Sequence, residues 1–278
     1  MLIDGHHIAK KLEQKTAKEV IALKALGIVP KLAVVLVGND MPSKKYVDMK
    51  KRAAEKIGID FTLVTLPKDI DKEIIIANID QLQQDPRLSG LIIQLPLPEP
   101  LFTTEVLNAV KPELDVECLT NTNLGRLVMK TNSLTPPTAG AVMHIFDDMQ
   151  IDLKGKQVCI VGAGMLVGKP LSIMMMNKEA TVTTCTIYTK NLKEKCLDAD
   201  IIITGVGKPH IVTANMVRPD AIVIDTGIWF DEQKKVHGDT DWQNISKKGA
   251  TVTPTPGGVG PITVSHLLWN AVLCAKNK

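Results

Sequence analysis

Aromatic residues are scarce. Phe, Tyr and Trp make up 3 % of the 278 residues, too few for the stacking platforms on which single-stranded nucleic acids lie. Arginine is scarcer still: Arg52, Arg87, Arg126 and Arg218 are the whole supply. Charge of one sign is not in excess either, since 33 Lys and Arg against 30 Asp and Glu leave +3. A phosphate-backbone binder clusters its arginines, and an anionic membrane surface attracts a strong basic excess, so neither nucleic acid nor membrane is an expected partner. The cysteines, Cys118, Cys159, Cys185, Cys196 and Cys274, are odd in number and form no C-x-x-C pair. That pattern excludes a disulfide framework and a zinc ribbon and fits a reduced, cytoplasmic chain. No charged segment followed by an apolar run opens the sequence, and no apolar run approaches the ~20 residues that span a bilayer. No metal is expected, because neither an H-E-x-x-H motif nor a His/Cys cluster at ligand spacing occurs. A G-x-S-x-G elbow is missing too.

What is present is an alternation of short apolar runs and helical patterns. The hydrophobic fraction of 45 % is enough for a sizeable core. Strands are predicted at 32–37, 61–66 and 90–94, with helices at 43–57, 71–84 and 103–110. This β-α-β-α-β order argues for a parallel sheet covered on both faces. The stretch 111–140 reads as loop, with Pro112, Pro136 and Pro137 among several Asn and Thr, and is the expected domain crossing. A second α/β unit follows, with helices at 141–149 and 171–177 and strands near 157–161, 181–184, 201–204 and 221–224. The last helix, at 263–275, cannot fold alone and is expected to dock on the first unit. The architecture is therefore two α/β domains.

Four motifs carry chemistry. On the helix at 43–57, Tyr46 and Lys50 are four apart and share a face with Ala53 and Ile57. Lys50 is the only charge on that apolar stripe. It either snorkels at the stripe's edge or faces inward with a partner or a task. Lys50→Met keeps length and apolar packing, so its stability is expected to hold or rise, because a buried cation no longer needs solvating. Gln94 ends a strand and is followed by the proline-stiffened Leu95-Pro-Leu-Pro98. An amide there can donate and accept where ligands of open parallel sheets bind, or simply cap a loop. Gly162-Ala163-Gly164-Met-Leu166-Val167-Gly168 follows a strand and opens a helix. It is similar to a dinucleotide fingerprint with one extra residue before the last glycine. A P-loop is excluded by Ala163 and Pro170. The acidic ribose ligand usual for NAD is absent after the next strand, where Thr186, Ile187, Tyr188 and Lys190 stand. Finally, Pro256-Gly257-Gly258-Val-Gly-Pro261 suits a backbone that hugs an anion or a ring, or a hinge.

In this order the motifs resemble the bifunctional methylenetetrahydrofolate dehydrogenase/cyclohydrolase family. The likeness runs from Ile3-Asp-Gly5 through Tyr46-x-x-x-Lys50, Gln94-Leu-Pro-Leu-Pro98, Val167-Gly-Lys-Pro170, Val206-Gly-Lys-Pro209, Ile224-Asp-Thr-Gly-Ile228 and Gly238-Asp239 to Pro256-Gly-Gly-Val-Gly-Pro-Ile-Thr263. The resemblance implies a folate domain at 1–139 with 262–278, a Rossmann-like dinucleotide domain at 140–261, a cleft between them, and a homodimer. It implies that Lys50, Tyr46 and Gln94 are catalytic, and that Tyr46, Glu117, Pro256, Gly257 and Gly258 bind a tetrahydrofolate derivative. Gly162, Ala163, Gly164, Leu166, Val167, Thr186, Ile187, Gly205, Val206 and Ile228 would bind NADP, with NAD as the alternative. The family's Asp-Val-Asp-Gly is here Asp115-Val116-Glu117-Cys118, its Gly-Arg-Ser turn is Gly162-Ala163-Gly164, and its Cys-His-Ser is Cys185-Thr186-Ile187. Pro-Cys-Thr-Pro likewise becomes Pro136-Pro-Thr-Ala139. The lost Arg and Ser commonly bind the extra phosphate of NADP. Three alternatives to the bifunctional enzyme remain: a cyclohydrolase with its redox step impaired, a non-catalytic paralogue that binds folate or a partner, and a dinucleotide-dependent dehydrogenase of another small molecule.

Overall fold

A computed structural model describes all 278 residues. In chain order the elements are α1 (Gly5–Ala25), β1 (Lys31–Val37), α2 (Met41–Lys56), β2 (Asp60–Leu66), α3 (Lys72–Leu82), β3 (Leu88–Ile93), α4 (Thr104–Asn108) and α5 (Asn121–Val128). There follow α6 (Pro137–Asp148), β4 (Gln157–Val161), α7 (Gly168–Asn177), β5 (Thr181–Cys185), α8 (Leu192–Leu197), β6 (Ile201–Thr204) and β7 (Ile222–Asp225). The chain closes with β8 (Trp229–Phe230), β9 (Val236–His237), α9 (Trp242–Lys247), β10 (Thr251–Val252) and α10 (Val259–Lys276). No helix is long and apolar enough to cross a membrane.

The residues form two compact units. One is Lys11–Pro137 with Val264–Lys278, here the N-terminal unit; the other, the inserted unit, is Met1–Lys10 with Thr138–Thr263. The first ten residues thus fall with the inserted unit, whereas the family resemblance counts them with the folate domain. The reason is a strand-like pairing: the Ile3 amide donates to the Val252 carbonyl at 3.0 Å, and Leu2 bridges Val252 in parallel.

In the N-terminal unit, β2, β1 and β3 form a parallel sheet in that order. The burial of the six residues from Leu32 to Val37, and of all six in β3, explains why these strands read as continuous apolar runs rather than alternating ones. Helix α10 docks on this unit as expected, adding Leu267, Leu268, Ala271 and Val272 to a core with Leu32, Val34, Val47 and Ile92. Buried Asn270 fixes its position, since Nδ2 donates to the carbonyls of Val116 and Thr135, each at 2.8 Å.

Five helices depart from the sequence pattern: α1, α5, α8 and α9 have no predicted counterpart, and α6 starts early. The stretch 111–140 contains α5, whose Asn, Thr and Gly are poor helix formers. It forms because buried Asp115 accepts the amides of Leu119 at 3.1 Å and Thr120 at 2.9 Å and the Nδ2 of Asn123 at 3.0 Å, while the Thr120 hydroxyl accepts the Asn123 amide. Helix α6 starts at Pro137, four residues before its predicted start, because proline suits a first helical position, where no amide hydrogen is needed.

In the inserted unit the parallel sheet runs β10-β7-β6-β4-β5. The chain passes from β4 outward to β5 and then back across β4 to β6. The order therefore reverses at β4 and β6, and the loops leaving these two strands flank the switch point where ligands of open α/β sheets bind.

A Cβ at Gly90, in the middle of β3, would lie 2.7 Å from Val116 Cγ1, 2.9 Å from Leu32 Cδ1 and 3.5 Å from Ala271 Cβ. Nothing larger than glycine's hydrogen fits. Gly90→Ala is expected to cost about 1–3 kcal/mol by forcing the segment at Val116 and α10 away from the sheet. Urea unfolding of the variant checks this, and a midpoint equal to the parent's would show that the packing yields without cost.

Candidate active site

The N-terminal unit gathers four of the expected site residues. Helix α2 is capped by Asp40, whose Oδ2 accepts the Ser43 amide at 2.9 Å and the Ser43 hydroxyl at 2.7 Å. The expected start at Pro42 and Ser43 therefore shifts back, with the acidic residue as the cap. The buried row of this helix is Ser43, Val47, Lys50 and Ala54. Lys50 sits within it and is only 1 % exposed, which rules out snorkelling. Its Nζ donates to Gln94 Oε1 at 3.1 Å and to Glu117 Oε1 at 3.0 Å, and lies 4.7 Å from the centre of the Tyr46 ring. One hydrogen bond, one ion pair and one aromatic face thus satisfy a buried amine. The partner that the inward position required is Glu117, together with Gln94.

Each partner is itself held. Gln94 follows the last residue of β3, where its amide donates to the Val35 carbonyl at 2.9 Å, and its Nε2 donates to the Leu95 carbonyl at 2.7 Å. That bond fixes the amide's orientation, so Oε1 faces the lysine. Glu117 is 20 % exposed, and only Oε1 is taken up by Lys50. Oε2 remains an available acceptor on the open side. The next residue, Cys118, has φ 54°. This left-handed backbone favours glycine, the residue of the family motif, and the chain reaches it here with a buried thiol. Burial and the negative charge of Glu117 raise the half-buried Tyr46 hydroxyl above the usual phenol range, so the ring acts as an uncharged face. Asp115 does not belong to this cluster, because its oxygens are occupied by the start of α5.

The inserted unit places the expected dinucleotide residues together at the carboxyl end of its sheet. Gly162 leaves β4 with φ 114°, and a Cβ there would lie 2.7 Å from the Gly205 carbonyl oxygen and 2.8 Å from Val206 Cγ1. A Cβ at Gly168 would meet the Gly162 oxygen at 1.8 Å. Both glycines are therefore demanded by close backbone approach, between the two loops and across the turn. Gly164 has open space around it. Val167 caps α7 without a side-chain acceptor; the Lys169 amide is taken by the Gly164 carbonyl at 3.0 Å and Pro170 has none, so the Gly168 amide is the first-turn donor left for an anion. Leu166, Ile187 and Ile228, from the segments after β4, β5 and β7, are exposed. Thr186 shapes its own turn, accepting the Tyr188 amide at 3.3 Å while its amide donates to Thr189 Oγ1 at 2.8 Å. The glycine turn, the Gly168 amide and the exposed apolar side chains fit a pyrophosphate with its flanking rings. No carboxylate follows β5 to receive a ribose hydroxyl, and Ala163 offers nothing to a ribose phosphate.

Pro256, Gly257 and Gly258 also lie in the inserted unit, against the start of α1. The Gly5 amide donates to the Gly257 carbonyl at 3.0 Å, and a Cβ at Gly5 would sit 1.7 Å from the Gly258 oxygen. Pro256 and Gly257, with Ile3, Asp4 and His6, line a cavity of about 370 Å³. No group of three or more His, Cys, Asp or Glu is placed to hold a metal ion.

Two residues absent from the expected site, Asp225 and Asp239, are buried at the same sheet edge. Asp239 accepts the amides of Val206 at 2.7 Å and Lys208 at 2.9 Å. The family-like segments Ile224-Asp-Thr-Gly-Ile228 and Gly238-Asp239 contain them, but by residue type alone each is an Asp beside a glycine-containing turn, a pattern shared with many surface loops.

Residues 3–117 match the family model described as tetrahydrofolate dehydrogenase/cyclohydrolase, catalytic domain, and residues 136–278 match its NAD(P)-binding domain. The bifunctional protein FolD of Nautilia profundicola is 45 % identical over 276 residues, covering 99 % of this chain and 97 % of that protein. The FolD protein of Methanosarcina barkeri is 41 % identical over 276 residues, covering 99 % of this chain and 96 % of its own. Among solved structures, the bifunctional FolD enzyme of Campylobacter jejuni superposes with a TM-score of 0.97 at 37 % identity, covering 100 % of this chain and 99 % of that one. The dehydrogenase-cyclohydrolase of Trypanosoma brucei, solved with NADP and an inhibitor, gives 0.95 at 31 % identity, covering 100 % and 97 %. With both domain models matched in order and relatives alike over nearly the full length, this chain belongs to the tetrahydrofolate dehydrogenase/cyclohydrolase family.

Proposed function

We propose that this protein oxidises methylene-tetrahydrofolate with NADP, NAD being the alternative, and hydrolyses the methenyl product to formyl-tetrahydrofolate. The observation that carries the reading is the buried Lys50 amine, joined to Glu117 and Gln94 and faced by Tyr46. By family resemblance the enzyme works in the cytoplasm as a homodimer on folates.

The chemistry follows from these positions. A dinucleotide held by the Gly162–Gly168 turn would supply the hydride acceptor for the methylene carbon of the folate, the oxidation that gives the methenyl compound. Tyr46 presents a neutral aromatic face to the folate ring, and Glu117 Oε2 accepts from the amino edge of the pterin. Transfer of a proton from Lys50 Nζ to Glu117 Oε1, 3.0 Å away, leaves a neutral amine. Its lone pair takes a proton from the water that attacks the methenyl carbon. The same amine returns that proton to the ring nitrogen as the five-membered ring opens, then takes the hydroxyl proton as the formyl C=O forms, and Glu117 releases its proton to solvent. Gln94 keeps Nζ aimed through the cycle, because its own amide is tied to the backbone. On the inserted unit, the Gly162–Gly168 turn and the start of α7 would hold the pyrophosphate. Gly205, Val206 and Ile228 would line the nicotinamide end, and Thr186 and Ile187 the adenosine ribose.

Lys50→Met should slow methenyl hydrolysis by ~10²–10⁴-fold, the span for losing a positioned acid–base group. It should also lower stability by about 1–3 kcal/mol, because Gln94 Oε1 loses its donor and Glu117 its counter-ion. This is the opposite of the expectation from sequence that stability holds or rises, which did not count the ion pair with Glu117. A variant with the parent's melting temperature and hydrolysis rate would remove Lys50 from the mechanism.

Glu117→Gln keeps the shape but removes the charge. Folate affinity and hydrolysis should both fall while dinucleotide binding holds, as titration calorimetry with each ligand would show. Equal folate affinity in the two proteins would take Glu117 out of the site.

Ala163→Arg should raise affinity for NADP over NAD by roughly ten- to a hundred-fold, the value of one charge-assisted hydrogen bond to the ribose phosphate. An unchanged ratio of the two dissociation constants would show that Ala163 does not face that phosphate.

A further inference from the structure

The loop after β6, Gly205 to Pro209, reaches the surface from Gly207 onward, yet its shape is set from beneath by one side chain. Asp239 is completely buried. Its Oδ2 accepts the Val206 amide at 2.7 Å, its Oδ1 accepts the Lys208 amide at 2.9 Å, and its backbone carbonyl accepts the Ile211 amide at 2.8 Å. Both oxygens of one carboxylate therefore bracket a loop whose central residue, Gly207, has φ 69°.

The clamp is built into the neighbouring loop as well. A Cβ at Gly227 would lie 2.0 Å from Asp239 Cγ, so only glycine lets the carboxylate reach the far loop. Asp225 anchors Asp239 in turn: its Oδ1 accepts the amides of Asp239 and Gly227, each at 3.0 Å, and the Thr204 hydroxyl at 3.1 Å. Its Oδ2 accepts the Thr240 amide at 2.8 Å and hydroxyl at 2.7 Å. The clamped loop stands against the glycine turn, since the space a Gly162 Cβ would need is filled by the Gly205 carbonyl and Val206 Cγ1.

We propose that Asp239 is a positioning residue for the dinucleotide: as a carboxylate it holds the Val206–Lys208 loop in the shape that lines the cofactor, and on protonation it releases that loop. The proposal rests on the reading that Gly162–Gly168 and Val206 bind the dinucleotide. A carboxylate can accept both amides at once, whereas a carboxylic acid turns one oxygen toward donating. The charged group facing Asp239 is Asp225; the other facing groups are the amides of Val206, Gly207 and Lys208. Burial, and after it the like charge of Asp225, raise the Asp239 carboxyl above the usual carboxylate range, against the opposing pull of the Val206 and Lys208 amides. The sign follows. A raised native value means that the folded protein takes up this proton before the unfolded chain does, so protonation at this site does not unfold the protein. Acidification should therefore weaken cofactor binding while the fold persists.

The test is NAD binding by the full-length protein, measured by calorimetry from about pH 8 down to about pH 5, a range in which the pyrophosphate charge of NAD is constant. The parent should bind progressively more weakly as the pH falls, with its thermal transition retained. Asp239→Asn, which keeps the shape but replaces one acceptor by a donor, should bind roughly ten-fold more weakly at the alkaline end, with a flattened profile. The parent's affinity and profile in that variant would overturn the proposal. So would weaker binding that keeps the parent's pH slope, which would mark Asp239 as merely structural. If the variant does not fold, hydrogen exchange at the Val206 and Lys208 amides of the parent decides. Protection lost on acidification, relative to the β6 amides, supports the clamp, and protection unchanged overturns it. Binding by the parent without any pH dependence sinks this proposal alone, whereas no NAD or NADP binding at any pH sinks the cofactor reading and this with it.

Discussion

A buried ammonium has to find its partners where it lies, because leaving one unpaired costs far more than most single contacts return. That requirement organises the N-terminal unit. Lys50 comes from α2, Gln94 from the end of β3, and Glu117 from the segment that leads to α5. Three stretches far apart in sequence must be brought within 3.1 Å of one nitrogen. The parallel sheet does this by delivering Gln94 at a carboxyl strand end, beside the α2 helix that follows β1. Asn270 on α10 contributes by holding the Val116 carbonyl, one residue before Glu117. The Lys50 cluster and the packing of the last helix are thus linked through a single peptide.

A second theme is the use of short acidic side chains as backbone clamps. Asp40 starts α2, Asp115 starts α5, and Asp225 and Asp239 shape the loops after β6 and β7. In each case a carboxylate takes the amides that a helix start or a turn leaves without partners. The chain keeps its loops thin at these places. Gly227 and Gly238 leave room for the carboxylates, since a Cβ on either would fall within 2.3 Å of one. Glycine near the sheet edge therefore has two separate duties here. Gly162 and Gly168 allow backbones to touch, and Gly227 and Gly238 allow side chains to pass.

The departures from the family motif have different structural weights. Glu117 replaces a shorter acid, and its extra methylene belongs to a side chain that contacts the lysine while leaving one oxygen open. Cys118 occupies a left-handed position at a steric cost that glycine would not incur, partly offset by burying its thiol in the core. Ala163 sits in a turn whose shape is set by Gly162 and Gly168, so its loss of an arginine alters what the turn can recognise without altering the turn.

The sequence by itself determined the α/β alternation, the parallel sheets, the docking of the last helix on the first unit and the inward face of α2. These rest on local periodicity, on strands buried along both faces, and on glycines that no other residue could replace. It also marked Tyr46, Lys50, Gln94 and the Gly162–Gly168 turn, because each breaks the pattern of its own element. It did not show α5, whose helix depends on a carboxylate six residues before its first residue, nor the first ten residues pairing with β10. It placed Asp225 and Asp239 in family-like segments but gave neither a role. Those features are made by contacts across long sequence separations, such as Ile3 with Val252 and Val206 with Asp239. An aspartate on a turn reads the same whether it is solvated or completely buried; only the tertiary structure decides which, by removing the water and supplying the amides.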